Sequence, residues 1–226
     1  MKRSEINQIM RNAEKFLASR QFVLPEWAAW SVDDWKAHQG QVDYITERML
    51  GWDITDFGSG DFLHRGLFLF TLRNGKYGVD KKPYAEKIMI VQEEQETPMH
   101  FHWSKMEDII NRGGGNVVFR LWNADKNEEV DRETPVKIFS DGREYTVPCG
   151  SDIVLKPGQS LSLYPYYYHE FVIQPGTGYA VIGEVSMCND DNSDNRFYEP
   201  LGRFPTIEED EPAYRLLCTE YPPAKD

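Results

Sequence analysis

The chain has 226 residues, with 25 Lys and Arg against 37 Asp and Glu, so its net charge is −12. Hydrophobic residues make up 40% and charged residues 27%, the balance of an ordinary globular protein. No apolar run nears the ~18 residues of a membrane span, and Met1 to Arg20 lacks the apolar core of a secretory signal; with no Lys/Arg cluster, nucleic acid and anionic membranes are not expected as partners.

In chain order, Ile6, Ile9, Met10, Ala13, Phe16 and Leu17 fall at helical spacing, which predicts an amphipathic helix with Ser4 as its N-cap. Gln21 to Trp30 reads as a packed connection around Pro25. Ser31 followed by Asp34 predicts a capping box for a second short helix ending before Gly40. Beyond Gly66 the pattern becomes that of strands. Leu67 to Arg73 is predicted to turn at Asn74-Gly75 and return over Lys76 to Val79. Further strands are expected at Lys87 to Gln92, Met99 to Trp103 and Asn116 to Trp122, the last after a flexible Gly113-Gly114-Gly115. Val136 to Ser140 and Glu144 to Val147 flank a tight turn at Asp141-Gly142. Ile153 to Leu155, Ser160 to Tyr164, Glu170 to Ile173 and Tyr179 to Ser186 complete the series. Many short strands with Gly, Pro and Asp between them predict an all-β antiparallel sandwich or barrel. The simplest partition is a helical extension over residues 1–65 packed outside a β-barrel over residues 66–226. Three widely spaced cysteines, Cys149, Cys188 and Cys218, form no CxxC pair, and they predict a reducing cytoplasm, without disulfides or a zinc cage.

The five histidines are unevenly placed. In His100-Phe101-His102-Trp103-Ser104-Lys105-Met106-Glu107, two imidazoles share one strand face, and Glu107 can join them if the chain turns at Ser104 to Met106. Such a mixed nitrogen and oxygen set suits Mn, Fe, Co, Ni or Zn; the other reading is two surface histidines on an alternating strand.

The same residues resemble the first cupin motif: His100-x-His102, four residues, Glu107, six residues, Gly114. The motif's leading Gly is replaced by Glu94. Tyr164-Pro165-Tyr166-Tyr167-Tyr168-His169 resembles the second motif in its Pro and His, without its Gly and Asn. Over essentially the whole chain the sequence resembles the D-lyxose isomerase family, through HFHWSKMEDIINRGGG from His100, KPGQSLSLYPYYYHEF from Lys156 and GEVSMCNDDNSDNRF from Gly183. That resemblance implies a cupin-type jelly roll and a cytosolic enzyme carrying a divalent metal, usually Mn²⁺ with Co²⁺, Fe²⁺, Ni²⁺ or Zn²⁺ as alternatives. It implies His100, His102, Glu107 and His169 as ligands, and interconversion of D-lyxose with D-xylulose and of D-mannose with D-fructose. A homodimer is expected, because cupins commonly pair through outer strands and the N-terminal helices offer a second apolar surface.

Reversal of the chain around Pro175-Gly176-Thr177-Gly178 predicts a hairpin that sets His169 directly opposite Glu184, inside the barrel. Glu184 is then the proton-transfer base; the other readings are a fifth ligand or a solvated strand carboxylate. Lys87 shares a face with Met89 and Val91, and is either a group that polarises a sugar oxygen or an edge residue. Asp190, Asp191, Asp194, Arg196 and Arg203 form a polar tail at the predicted barrel mouth, with Asp194 and Arg203 expected to hold sugar hydroxyls. Trp103, Tyr164, Tyr166 and Tyr168 flank ligand positions, and Trp103 is expected to face the sugar. Together these parts predict an aldose–ketose isomerase working by proton transfer between C1 and C2, with a metal-assisted hydride shift as the mechanistic rival. A phosphosugar isomerase, an iron-dependent dioxygenase and a non-enzymatic sugar-binding cupin use the same fold. The first would need a Lys/Arg cluster or amide cradle beside the metal motif, and the sequence shows neither.

Overall fold

The computed structural model describes residues 1–222. Helix α1 (Arg3–Ser19), a 3-10 turn (Glu26–Ala29), α2 (Val32–Ala37) and α3 (Asp43–Glu47) precede the strands. These are β1 (Gly51–Thr55), β2 (Leu67–Arg73), β3 (Tyr84–Val91), β4 (Thr97–Phe101), β5 (Glu107–Gly114), β6 (Val117–Ala124), β7 (Val130–Asp131), β8 (Val136–Ser140), β9 (Arg143–Val147), β10 (Ile153–Leu155), β11 (Ser160–Leu163), β12 (Tyr167–Ile173), β13 (Ala180–Met187) and β14 (Arg196–Phe197). They form two curled antiparallel sheets, ordered β1-β2-β3-β13-β5-β11-β8-β9 and β10-β6-β12-β4-β14, with β7 beside β6. This is the all-β cupin-type barrel that the motifs predict.

Strand alternation sorts the side chains between two cores. Leu67 and Leu69 point between the sheets with Met89, Ile109, Phe119, Leu161 and Ile182. Phe68 and Phe70, their neighbours on β2, point outward and pack with Ile6, Met10, Ala13 and Leu17 of α1. Most of the apolar stripe of α1 is thus covered by its own barrel, while Ile9 and Phe16 stay half-buried beside a surface hollow that Phe62 and Tyr179 also line. Its start is Lys2, whose N–H donates to Glu5 at 2.8 Å. Ser4 lies inside the helix, with its N–H and hydroxyl both donating to Asp210, so it is not the cap. The Ser31–Asp34 capping box forms as predicted. Met10 is fully buried. Met10→Ala should cost about 2–5 kcal/mol, read as a lower urea midpoint with an unchanged slope.

Several strand assignments shift. Asp141 and Gly142 adopt positive φ of 49° and 73°, and join β8 to β9 in the expected tight turn. Asn74-Gly75 does not: β2 pairs with β3, and residues 76–83 are a loop. The Asn74 side chain is taken up by the backbone of Asn189, accepting from its N–H and donating to its carbonyl, both at 2.9 Å. Residues 107–114, to which the sequence pattern assigned no element, form a full strand, and two of the glycines expected to be flexible, Gly113 and Gly114, end it. Gly114 has φ +95°, and a Cβ there would lie 2.1 Å from the Tyr179 carbonyl, so the glycine permits close approach of β13. Strand β1 completes the larger sheet from within residues 1–65, so position 65/66 does not separate helices from strands. Residues 223–226 of the predicted barrel segment lie outside the described residues.

The predicted hairpin of β12 and β13 is overturned. Both edges of β12 are occupied by β4 and β6, and both edges of β13 by β3 and β5. The turn after Ile173 crosses from one sheet to the other. His169 lies opposite His100 and Leu121; Glu184 lies opposite Lys87 and Ile109.

Candidate active site

One cavity lies between the sheets, with about 540 Å³ of unfilled space, part of it open to solvent. His100, His102, Glu107, His169, Glu184, Lys87 and Arg203 all line it.

His100 and His169 face each other across β4 and β12, with ring centroids 4.2 Å apart. His102 follows at the end of β4, where the chain leaves the sheet. One nitrogen from each of the three rings lies within 4.8 Å of the other two. Glu107, at the start of β5, brings Oε1 to 3.4 Å from His102 Nε2 and 3.5 Å from His169 Nε2. Each Nδ1 faces a backbone carbonyl: Pro98 for His100 (2.8 Å), Asp194 for His102 (2.8 Å) and Tyr167 for His169 (3.0 Å). A carbonyl can only accept, so Nδ1 carries the hydrogen and each Nε2 is left as a lone-pair donor. Burial, reinforced by the neighbouring imidazoles, holds His100 well below its ordinary pKa, and burial lowers His169 to about 4. Neutral rings are what metal ligation requires. The donor set fits a divalent cation, and the three histidines could hold one.

The opposite wall is built from charges. Glu184 Oε1 lies 3.1 Å from both Lys87 Nζ and Lys105 Nζ. Lys105 also reaches Glu107 Oε2 at 2.7 Å. Burial alone would lower the pKa of Lys105, but the carboxylates of Glu107 and Glu184 outweigh it and raise that pKa. Burial would likewise raise Glu107, but Lys105 and His102 hold it well below the usual carboxylate range. Arg203 bridges Asp53 on β1 (2.6 Å) and Asp191 (3.2 Å). Burial pushes Asp191 upward; Arg203, Lys87 and Lys105 overcome that and keep it ionised. Phe57 and Phe197 close an apolar side, their rings 5.8 Å apart.

The structure thus brings together six of the predicted residues, His100, His102, Glu107, His169, Lys87 and Glu184, with Arg203 at the rim. It does not bring in Trp103 or Asp194. Trp103 donates to Glu128 Oε1 (2.9 Å) and borders a separate surface hollow. Asp194 borders that hollow too, and its carboxylate accepts from the N–H groups of Ser104 and Lys105, each at 2.9 Å. Tyr168 points away from the cavity, packed on Phe101 and Trp122. Asp191, read from the sequence as part of the polar tail at the mouth, also lines the cavity; Lys105, Asn195, Phe57 and Phe197 were not foreseen. Lys105 had a signal: it is two residues from Glu107, so if one side chain faces inward the other does too. A cationic cluster beside the metal motif, absent from the linear reading, forms in three dimensions from Lys87, Lys105 and Arg203.

Fold and site together define a cupin barrel with three convergent histidines beside Glu107, facing Glu184 and its two lysines. The profile described as D-lyxose isomerase matches residues 1–221. A D-lyxose/D-mannose isomerase of Escherichia coli O157:H7 is 46% identical over 224 residues, spanning 98% of each chain. One of Serratia proteamaculans is 48% identical over 224 residues, again 98% of each. The chain belongs to the D-lyxose isomerase family and is a sugar isomerase. Among solved structures, the ligand-free L-ribose isomerase of Cellulomonas parahominis shares the fold, with a TM-score of 0.61 at 14% identity over 92% of this chain and 98% of that one. The L-ribose isomerase of Acinetobacter sp. DL28 in complex with L-ribose gives 0.60 at 15% identity, with the same coverage. Among the described residues no helix is long and apolar enough to cross a membrane.

Proposed function

We propose that the protein is a metal-dependent aldose–ketose isomerase that interconverts D-lyxose with D-xylulose and D-mannose with D-fructose by proton transfer between C1 and C2. The observation that carries this reading is the meeting, in one cavity, of three convergent histidine nitrogens, the adjacent Glu107 carboxylate and a second carboxylate, Glu184, held by two lysines. His100, His102, Glu107 and His169 hold the cation, with Mn²⁺ as the first choice. When bound, a divalent cation supplies Lewis-acid stabilisation of negative charge developing on the sugar oxygens. Glu184 takes the proton from one carbon and returns it to the other. The closest contacts of both lysines fall on Oε1, so Oε2 is the atom that carries the proton. Lys87 and Lys105 donate to sugar oxygens and hold Glu184 in place. The apolar side of Phe57 and Phe197 receives the C–H face of the substrate and excludes water.

A phosphosugar substrate is less well matched. Each cation at the cavity already faces a carboxylate: Lys87 and Lys105 face Glu184, and Arg203 faces Asp53 and Asp191. A phosphate would have to displace them. The test is anaerobic incubation of the Mn²⁺-loaded protein with D-lyxose and with D-mannose, followed by ketose assay. Turnover is expected without oxygen, lost on chelation and restored by metal. No ketose from either sugar would overturn the reading.

A further inference from the structure

Behind the two lysines, outside the substrate cavity, sits Asn189. Its Oδ1 is 2.6 Å from Lys87 Nζ and 3.5 Å from Lys105 Nζ. Glu184 Oε1 is 3.1 Å from the same two nitrogens. The four groups therefore form a diamond: two ammonium groups bridged on the cavity side by a carboxylate oxygen and on the far side by an amide oxygen. The amide's orientation follows from its partners. Oδ1 faces two cations, and Nδ2 donates to Asp191 Oδ2 at 2.8 Å; the flipped amide would face like with like at all three contacts. The backbone of Asn189 is held as firmly, because the Asn74 side chain grips both its N–H and its carbonyl at 2.9 Å. That use of Asn74 explains why Asn74-Gly75 does not make the hairpin its sequence suggests.

We infer that Asn189 is a positioning residue for proton transfer: its neutral oxygen holds Lys87 back from Glu184, while Lys105 is held chiefly by Glu107, keeping the carboxylate between the two lysines reactive. The physical reason is charge. Lys87 has two close oxygen partners here, one anionic and one neutral. Without the neutral one, Glu184 would be the one close oxygen partner of Lys87, with Asp191 acting from further off, and the ion pair would tighten in a low-dielectric site. A carboxylate in the amide's place would instead compete with Glu184 for both ammonium groups and would face Asp191 with like charge. Asn189 does not line the substrate cavity, so its effect should fall on turnover and not on binding.

This inference rests on the proposed isomerase reading, and the wild-type protein separates the two: if it fails to isomerise D-lyxose, that reading falls on its own account. With active wild type, Asn189→Ala should lower kcat about 10–100-fold, the scale of losses from misplacing a reacting group, while KM stays within about twofold. Bound metal, by elemental analysis, should stay at wild-type stoichiometry. Asn189→Asp, nearly the same in size, should lose at least as much turnover as Asn189→Ala. Asn189→Ala with wild-type kcat overturns the inference. So does a loss carried by KM, or one matched by loss of metal or of folded protein at the assay temperature, since those mark a substrate contact or a structural role. Should Asn189→Asp fail to fold, Asn189→Ala decides alone.

Discussion

Glu184→Gln should retain its metal and its sugar affinity, yet isomerise at least about 10²-fold more slowly, the lower end of what removal of a general base costs. The substitution leaves side-chain volume nearly unchanged, so repacking cannot account for the loss. It does remove the anion between Lys87 and Lys105. Lys105 keeps Glu107 at 2.7 Å and Lys87 keeps Asn189 at 2.6 Å, so both ammonium groups stay partnered and the barrel should still fold. The variant should also lose exchange of the aldose C2 hydrogen with solvent deuterium. A near-wild-type rate would remove Glu184 from proton transfer. Loss of metal along with rate would place it among the ligands. Absence of solvent exchange in the wild type itself would favour the hydride shift.

The second large effect concerns the donor set. His102→Ala and Glu107→Ala should each leave a folded protein with little bound metal and almost no activity. Loss of a group that merely orients a ligand costs 10–100-fold in metal affinity or activity, and loss of a ligand should exceed that. Glu107→Ala carries a further penalty, since Lys105 loses its 2.7 Å partner inside a buried site. The two variants should therefore differ in thermal midpoint, with Glu107→Ala lower, while agreeing in metal content. Full metal occupancy in both, by elemental analysis, would sink the ligand assignment.

Much of the site was legible in the sequence because its signals are local. His100-x-His102 and Glu107 sit within one short stretch, and the alternation of a strand is enough to put the two imidazoles on one face. Glu184 and Lys87 were legible as charges on otherwise apolar strands. The argument that joined Glu184 to His169 was a different matter. It assumed that strands consecutive in sequence pair with each other, whereas a barrel of two sheets lets consecutive strands part at the turn. The cavity conclusion survives only because His169 and Glu184 both face inward, from opposite walls. Asp194 and Trp103 were misplaced because no periodicity governs irregular chain: residues 188–195 carry three aspartates, and which faces the sugar depends on how that segment lies over the cavity. Asn189 was invisible for the same reason, since its partners lie on β3 and in two other loops.

The placement of β13 between β3 and β5 bears on how the molecule assembles. β3 closes at Val91 and β5 at Gly114, yet the strand that joins them opens only at Ala180. Until that late segment docks, two eight-residue strands have exposed edges able to pair wrongly. The histidine stretch around His100 is likewise made well before its partner His169. Such non-local pairing carries the loop-closure entropy that slows folding into the millisecond-to-second range, and it leaves premature chain termination before β13 with aggregation as its natural outcome.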